Sequence, residues 1–364
     1  MGRIVFENRS LADRYYQIGT AAVRMILITC MLFFCLAYDS TSADNRYLMT
    51  GTVRARALAM GGAYHSVEDD FSAGFYNPGA FKINATQSER RFRLFFNPAA
   101  SAGAFYDFSK YDYDFDRDDE LTLGEALLSA SLFLKGIAVT TPNLDFGLGL
   151  GEEVIDYRST AVRSGRAVTV EGLANRSFHS AFVNVKIASP VSIGVAGTLY
   201  SSRQDGKTIL KSGYTFGVIL TPNPKLNVGI VYNQMPENFT DARMELESIE
   251  NGSVTSGISY HFDDKTIVAI DLRTVNKEDQ PTSREIHTGF ERRFGERVAL
   301  RAGYYRKKET NDDVLSFGIG ILPAWEKISR YSKSTRIDVL SYSLVLDKSS
   351  FERRWHVLSL LLRL

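Results

Sequence analysis

Apolar and polar residues alternate through most of the chain from about residue 176 to its end. In 297–306, Val298, Leu300, Ala302 and Tyr304 share one face, and Arg297, Ala299, Arg301 and Gly303 the other. In 265–274, Val268, Ile270 and Leu272 oppose Ala269, Asp271 and Arg273. In 313–322, Leu315, Phe317, Ile319 and Ile321 oppose Val314, Ser316, Gly318 and Gly320. A period of two predicts a strand. The same rule marks 180–188, 191–200, 212–221, 225–234, 253–262, 284–294, 336–346 and the last segment, where His356, Leu358, Leu360, Leu362 and Leu364 share a face. Upstream, 90–97, 133–141 and 144–158 read the same way, and 103–108 is a further strand or part of a loop. The prediction is an all-β chain of about 14 strands, within a range of about 12 to 16.

A soluble β-sandwich also alternates, so alternation alone does not say which face is buried. Three features favour a transmembrane antiparallel β-barrel. The strands are about 9–11 residues long, which suits tilted strands crossing a bilayer. The bulky face recurs on every strand, while the opposite face is rich in Gly, Ser and Ala with a few charges, as a lumen requires. The links alternate in length. Short ones fall at Ser189-Pro190, Thr221 to Lys225, Phe262 to Lys265 and Phe294 to Arg297; polar longer ones fall at 201–209, 235–251, 275–284 and 306–313. That asymmetry separates periplasmic turns from extracellular loops. The link 323–335 departs from it, being long where a turn is expected. Tyr232, Tyr260, Phe262, Phe294, Tyr304 and Tyr305 near strand ends agree with interfacial girdles.

The N-terminus adds an export signal. Met25 to Ala37 carries no charge, follows Arg24 and precedes small polar residues. It is shorter than the roughly 20 apolar residues of a spanning helix and fits a signal h-region. Residues 1–43 are therefore expected to be removed, with cleavage after Ala43. Both cysteines, Cys30 and Cys35, go with them, and basic and acidic residues then balance. A strongly basic nucleic-acid binder is excluded by that balance. Cys-based zinc, iron–sulfur and disulfide chemistry is excluded for the mature chain.

Residues 51–82 read GTVRARALAMGGAYHSVEDDFSAGFYNPGAFK, where alternation fails and small residues dominate. The run Arg56-Ala57-Leu58-Ala59-Met60-Gly61-Gly62-Ala63, the acidic pair Asp69-Asp70 and Tyr76-Asn77-Pro78-Gly79-Ala80 resemble the start of FadL-type outer-membrane transporters of long-chain fatty acids and other hydrophobic compounds. They resemble the PorV/PorQ-type barrels equally. Tyr214 to Asn233 and His287 to Tyr304 agree. The resemblance implies an N-terminal hatch over 44–88, plugging a barrel over 89–364 that carries an acidic and helical insertion at 110–132. Gly61, Gly62, Asp69, Asp70, Asn77 and Pro78 are its hatch residues. It also implies the outer membrane of a Gram-negative-type bacterium, with membrane lipid as surroundings. Trp355 to Leu364 resembles the terminal strand by which the assembly machinery recognises such barrels. From the residues themselves, Gly61-Gly62 permits positive φ and Asn77-Pro78 reads as a turn.

Asp114 to Glu125 has the spacing of a Ca²⁺ loop, with Asp114, Asp116, Asp118 and Glu125 as candidate ligands, but Asp119 stands where a Gly makes the sharp turn. Ca²⁺ is the one cofactor this suggests, against a plain solvated acidic loop. The five histidines show no zinc-ligand spacing and no G-x-S-x-G or Walker-type loop occurs, so no enzyme is expected. The leading function is passive uptake of hydrophobic small molecules such as long-chain fatty acids. The alternative is a PorV-like barrel that transports nothing small and serves as a partner in protein secretion or surface attachment. A soluble periplasmic β-protein is a third reading.

Overall fold

The two faces of the strands meet different surroundings. Ile230, Ile258, Ile270, Ile286, Leu300 and Phe317 are exposed, while the intervening Ala299, Thr255, Ser259 and Ser316 are buried. An outward row of large apolar side chains is unfavourable in water and suits contact with acyl chains. At the end of the chain the row changes: Leu358 and Leu360, on the outward side, are nearly covered.

The computed structural model describes residues 46–50, 52–69, 71–82, 92–97, 134–153, 167–168, 176–204, 207–234, 253–275, 283–295, 297–307, 312–321, 340–347 and 354–363. The leader 1–43, Asp70, the candidate strand 103–108, the insertion 110–132 with its candidate Ca²⁺ ligands, and the link 323–335 lie outside them. In chain order the elements begin with β1 (Arg46–Thr50), the short helices α1 (Ala55–Ala59) and α2 (Phe71–Tyr76), and a 3-10 turn at Pro78–Ala80. The wall follows: β2 (Phe92–Phe96), β3 (Leu134–Thr140), β4 (Leu144–Glu153), the short β5 (Ala167–Val168), β6 (Arg176–Ala188), β7 (Val191–Gln204), β8 (Lys207–Asn223) and β9 (Leu226–Gln234). It continues through β10 (Ser253–Asp263), β11 (Thr266–Val275), β12 (Ser283–Phe294), β13 (Val298–Lys307), β14 (Asp312–Ile321), β15 (Leu340–Asp347) and β16 (Arg354–Leu360), which β17 (Leu362–Arg363) extends.

β2, β3, β4 and β6 to β16 are the 14 antiparallel strands of one sheet. Each pairs with the next around the ring, β4 passing directly to β6. The seam is different. β17 meets β2 only through Leu362↔Phe96 and Arg363↔Phe95. Along Arg354 to Leu358 the same edge of β16 is taken by β1, which runs parallel to it and also pairs in parallel with β5 through Leu48↔Ala167 and Met49↔Val168. Among the described residues no continuous wall ladder closes the ring. β7 and β8 continue through most of the link expected at 201–209, pairing as far as Gln204↔Lys207. The polar run there hides the strands because it lacks an apolar row, although the Asp205-Gly206 between them is a hairpin-turn pair by sequence.

Residues 52–69 and 71–82 lie within the ring, almost all of them buried. The wall glycines make the room. A side chain at Gly194 would stand 2.1 Å from the Pro78 backbone, one at Gly229 2.1 Å from the His65 carbonyl, and one at Gly303 2.0 Å from the Gly61 amide. These approaches are closer than any Cβ allows, so the small inward face is a steric condition for enclosing the segment.

Candidate functional site

The site is the contact between the enclosed segment and the wall. α1 is a five-residue helix, too short to persist alone. It ends where Gly61 (φ 65°) and Gly62 (φ 72°) turn left-handed, and the Gly62 amide donates to the Ala57 carbonyl at 3.0 Å. Its own carbonyls are received by wall serines. Ser343 Oγ donates to Ala55 O at 2.5 Å and Ser316 Oγ to Ala59 O at 3.1 Å. Ser316 thus serves a carbonyl at the C-terminal end of the helix, where no further turn supplies a donor, and Ser343 adds a second donor to the first turn.

The second turn is organised by Asn77. Its Oδ1 accepts from the Gly79 amide at 2.9 Å, and its Nδ2 donates to His65 O at 2.6 Å and to Val218 O of β8 at 3.1 Å. Pro78 opens the 3-10 turn, where its missing N–H costs nothing. Asp69 closes the segment on itself by a bridge to Phe81, and its carboxylate accepts from Arg56 Nη1 at 2.9 Å and from the Tyr64 hydroxyl at 2.5 Å. Burial, with Asp69 beside it, holds the Tyr64 phenol well above its ordinary range, so it stays a donor.

A cluster of ion pairs lies on the β11–β13 side of the lumen. Glu291 of β12, fully buried, accepts a two-pronged bond from Arg56, through Nε at 2.8 Å and Nη2 at 3.0 Å. Arg301 Nε at 2.8 Å and Arg293 Nε at 3.1 Å complete the set, so three guanidiniums surround one carboxylate. Further along the same ladder, Asp271 of β11, opposite His287, accepts from the His65 amide at 3.0 Å and from His65 Nδ1 at 2.8 Å. His287 stacks on Tyr305 at 4.8 Å and donates through Nδ1 to Gly61 O at 2.7 Å. On the β2–β6 side, aromatic rings pack beside buried charges of the same strands. Phe71, Phe81, Phe95 and Phe182 form one buried cluster, with Phe75 partly buried against it.

The start of the segment is tied at a break in β4. Against β6 the register shifts between Gly149 and Glu152, with Gly151 at φ 56°. One extra residue exchanges the two faces of a strand. It turns Glu152 inward, where Thr52 Oγ1 at 2.5 Å, the Val53 amide at 3.0 Å and Arg54 Nε at 3.2 Å donate to it. The Arg54 guanidinium lies 5.0 Å from the centre of the Phe178 ring.

Of the positions singled out by sequence, Gly61, Gly62, Asn77 and Pro78 sit against the wall, and Asp69 ties the enclosed segment to itself. The wall residues Glu152, Asp271, His287 and Glu291, which receive Thr52 to Arg54, His65, Gly61 and Arg56, are not marked out by the sequence. The available signal was a charged side chain on the small inward face of a strand, but nothing local says which residue it meets, since the partners lie from 98 to 235 positions away. Among the described residues no group of three or more His, Cys, Asp or Glu is placed to hold a metal ion.

No family model matches the chain, and no curated protein matches it. Among solved structures it is similar to the toluene transporter TodX of Pseudomonas putida, at 10% identity over 83% of this chain and 93% of that one, with a TM-score of 0.45. It is also similar to a FadL homologue of Pseudomonas aeruginosa, at 10% identity over 86% and 95%, with a TM-score of 0.40. A mutant of the Rh. blastica porin aligns at 11% identity over 69% and 80%, with a TM-score of 0.33. Likeness of this degree says nothing of cargo.

Proposed function

We propose that the chain is an outer-membrane barrel for passive uptake of hydrophobic small molecules such as long-chain fatty acids, with residues 52–82 as a displaceable hatch. The observation that carries this reading is the way the lumen is filled. The segment is held by hydrogen bonds and ion pairs, which can exchange, and it faces aromatic wall on one side. Polar bonds set a definite resting position that another arrangement can replace, and an aromatic lining lowers the barrier that a polar surface layer sets against a lipophilic solute. No catalysed step or energy source is needed. Outer-membrane lipid surrounds the outward rows, and the assembly machinery receives the last strand.

Uptake of a labelled long-chain fatty acid by cells lacking their own transporter tests it. Expression of the chain should raise uptake severalfold, and a water-soluble solute of similar mass should gain nothing. Unchanged uptake of fatty acids and of apolar aromatics alike would refute the reading.

One observation favours the second reading, a partner barrel for protein secretion or surface attachment. The enclosed segment is packed as tightly as a core, with Ala57, Ala59, Met60, Ala63 and Tyr64 wholly inaccessible. In that case uptake stays at background, and the chain co-purifies with an exported or surface protein after crosslinking in the intact membrane.

A further inference from the structure

The break in β4 leaves Gly151 outside the β4–β6 ladder, and two side chains take up its backbone. The Gly151 amide donates to His179 Nδ1 of β6 at 3.1 Å, and Lys135 Nζ of β3 donates to the Gly151 carbonyl at 2.7 Å. Because Nδ1 accepts, the proton of the neutral imidazole sits on Nε2. That Nε2–H is buried and has no hydrogen-bond partner. Ser177, two positions earlier on β6, is in the same state, its hydroxyl buried and unpaired. The charge that acts on the imidazole is that of Lys135. Phe178 and Phe182 point into the lumen, against Arg54 and Phe81, so Ser177 and His179 face outward. Farther along that face Val185 and Ile187 are 42% and 61% exposed, whereas Ser177 is wholly covered and His179 is 4% exposed. The two positions lie at the end of β6 away from the short Ser189-Pro190 turn, which is the outer-leaflet end.

We infer that Lys135, Ser177 and His179 bind a phosphate monoester, carried by a lipid headgroup of the outer leaflet. A buried donor without an acceptor is costly, and two of them beside an ammonium are the donor set of an anion site. Ammonium, imidazole N–H and hydroxyl each donate, and a monoester offers three oxygens to receive them. Ser177 and His179 stand about 7 Å apart along the strand, a span that one oxyanion hydrogen-bonded to both can bridge. Both are covered, so the group that reaches them is a terminal one, and a diester with chain on either side does not enter. Inorganic phosphate shares the chemistry and is the other source of it. The site faces away from the lumen, so it binds its anion whether or not the barrel takes up solutes.

Imidazole nitrogen resonances of the histidine-labelled protein, purified in a detergent free of phosphate, test the site. His179→Gln identifies the His179 signal by its loss. The probes are inorganic phosphate, dihexanoyl phosphatidic acid (a monoester) and dihexanoyl phosphatidylglycerol (a diester). The His179 signal should shift saturably with phosphatidic acid, at least tenfold more tightly than with inorganic phosphate, and should not move with phosphatidylglycerol. Lys135→Met should weaken phosphatidic acid binding at least tenfold, while Lys135→Arg, which keeps the charge, retains most of it. Ser177→Ala removes one donor and no charge and should weaken binding severalfold, which decides the matter if Lys135→Met loses heat-modifiable migration. Inorganic phosphate binding as tightly as phosphatidic acid upholds the site and makes free phosphate its source. A His179 signal that moves with none of the probes overturns the inference, as does an affinity for phosphatidic acid that is unchanged in Lys135→Met or Ser177→Ala.

Discussion

At Glu291 one carboxylate balances three guanidiniums in a setting that water does not reach. Removing its charge leaves Arg56, Arg293 and Arg301 facing one another. Breaking one side of a buried ion cluster costs about 3–5 kcal/mol. In Glu291→Gln that loss should fall on the seating of the enclosed segment, because the wall ladders do not depend on it. The expected outcome is a barrel that still migrates heat-modifiably but shows larger single-channel conductance in planar bilayers, and unchanged conductance would contradict it. The same scale shows what was readable in advance. Gly61, Gly62, Asn77 and Pro78 announce themselves because turn chemistry is written within a few residues. Glu291 and Arg56 are 235 positions apart, and no local pattern links them.

For the elements, the inward glycines of the wall set how closely the segment can approach. Gly217 faces inward and Gly197, on the exposed face of β7, faces outward, so the two separate loss of this contact from a glycine's backbone freedom alone. A Cβ at Gly217 would lie 2.0 Å from Asn77 Oδ1, whereas one at Gly197 meets nothing within 4 Å. Gly217→Ala should push the Asn77–Gly79 turn off β8 and lower the unfolding temperature by several degrees. Gly197→Ala should change neither stability nor conductance, and equal behaviour of the two variants would count against the contact. The strands themselves were legible because alternation is local and recurs. β7 and β8 ran longer than their apolar rows, since backbone pairing between neighbours extends past the residues that need burial. β1 was not legible: Arg46–Thr50 falls within the stretch expected as hatch, yet it forms a strand on the edge of β16, a choice made by a free edge far along the chain.

Across the whole molecule, the decisive property is which way the apolar rows face. Ile258 lies in mid-strand with its side chain more than half exposed. In lipid, Ile258→Arg should cost about 2–4 kcal/mol, the depth-dependent penalty for a charge on a barrel's outer face. Far less folded protein should then reach the membrane fraction. Thr255→Ser, on the inward face of the same strand, should assemble normally. Normal assembly of Ile258→Arg would place that row in water or protein rather than lipid.

The amino-acid sequence alone determined that this is a chain of long alternating strands with one bulky and one small face, preceded by a segment that cannot be a strand of that kind. Those properties come from residues within a few positions of each other, where side-chain size and backbone preference act directly. Tertiary structure decided how the ring meets itself at β1, β16 and β2, how the break in β4 turns Glu152 inward, and which wall charges receive Arg56, His65 and Gly61. Each is a meeting of distant parts, set by register and free edges, and it exists only once the sheet has formed.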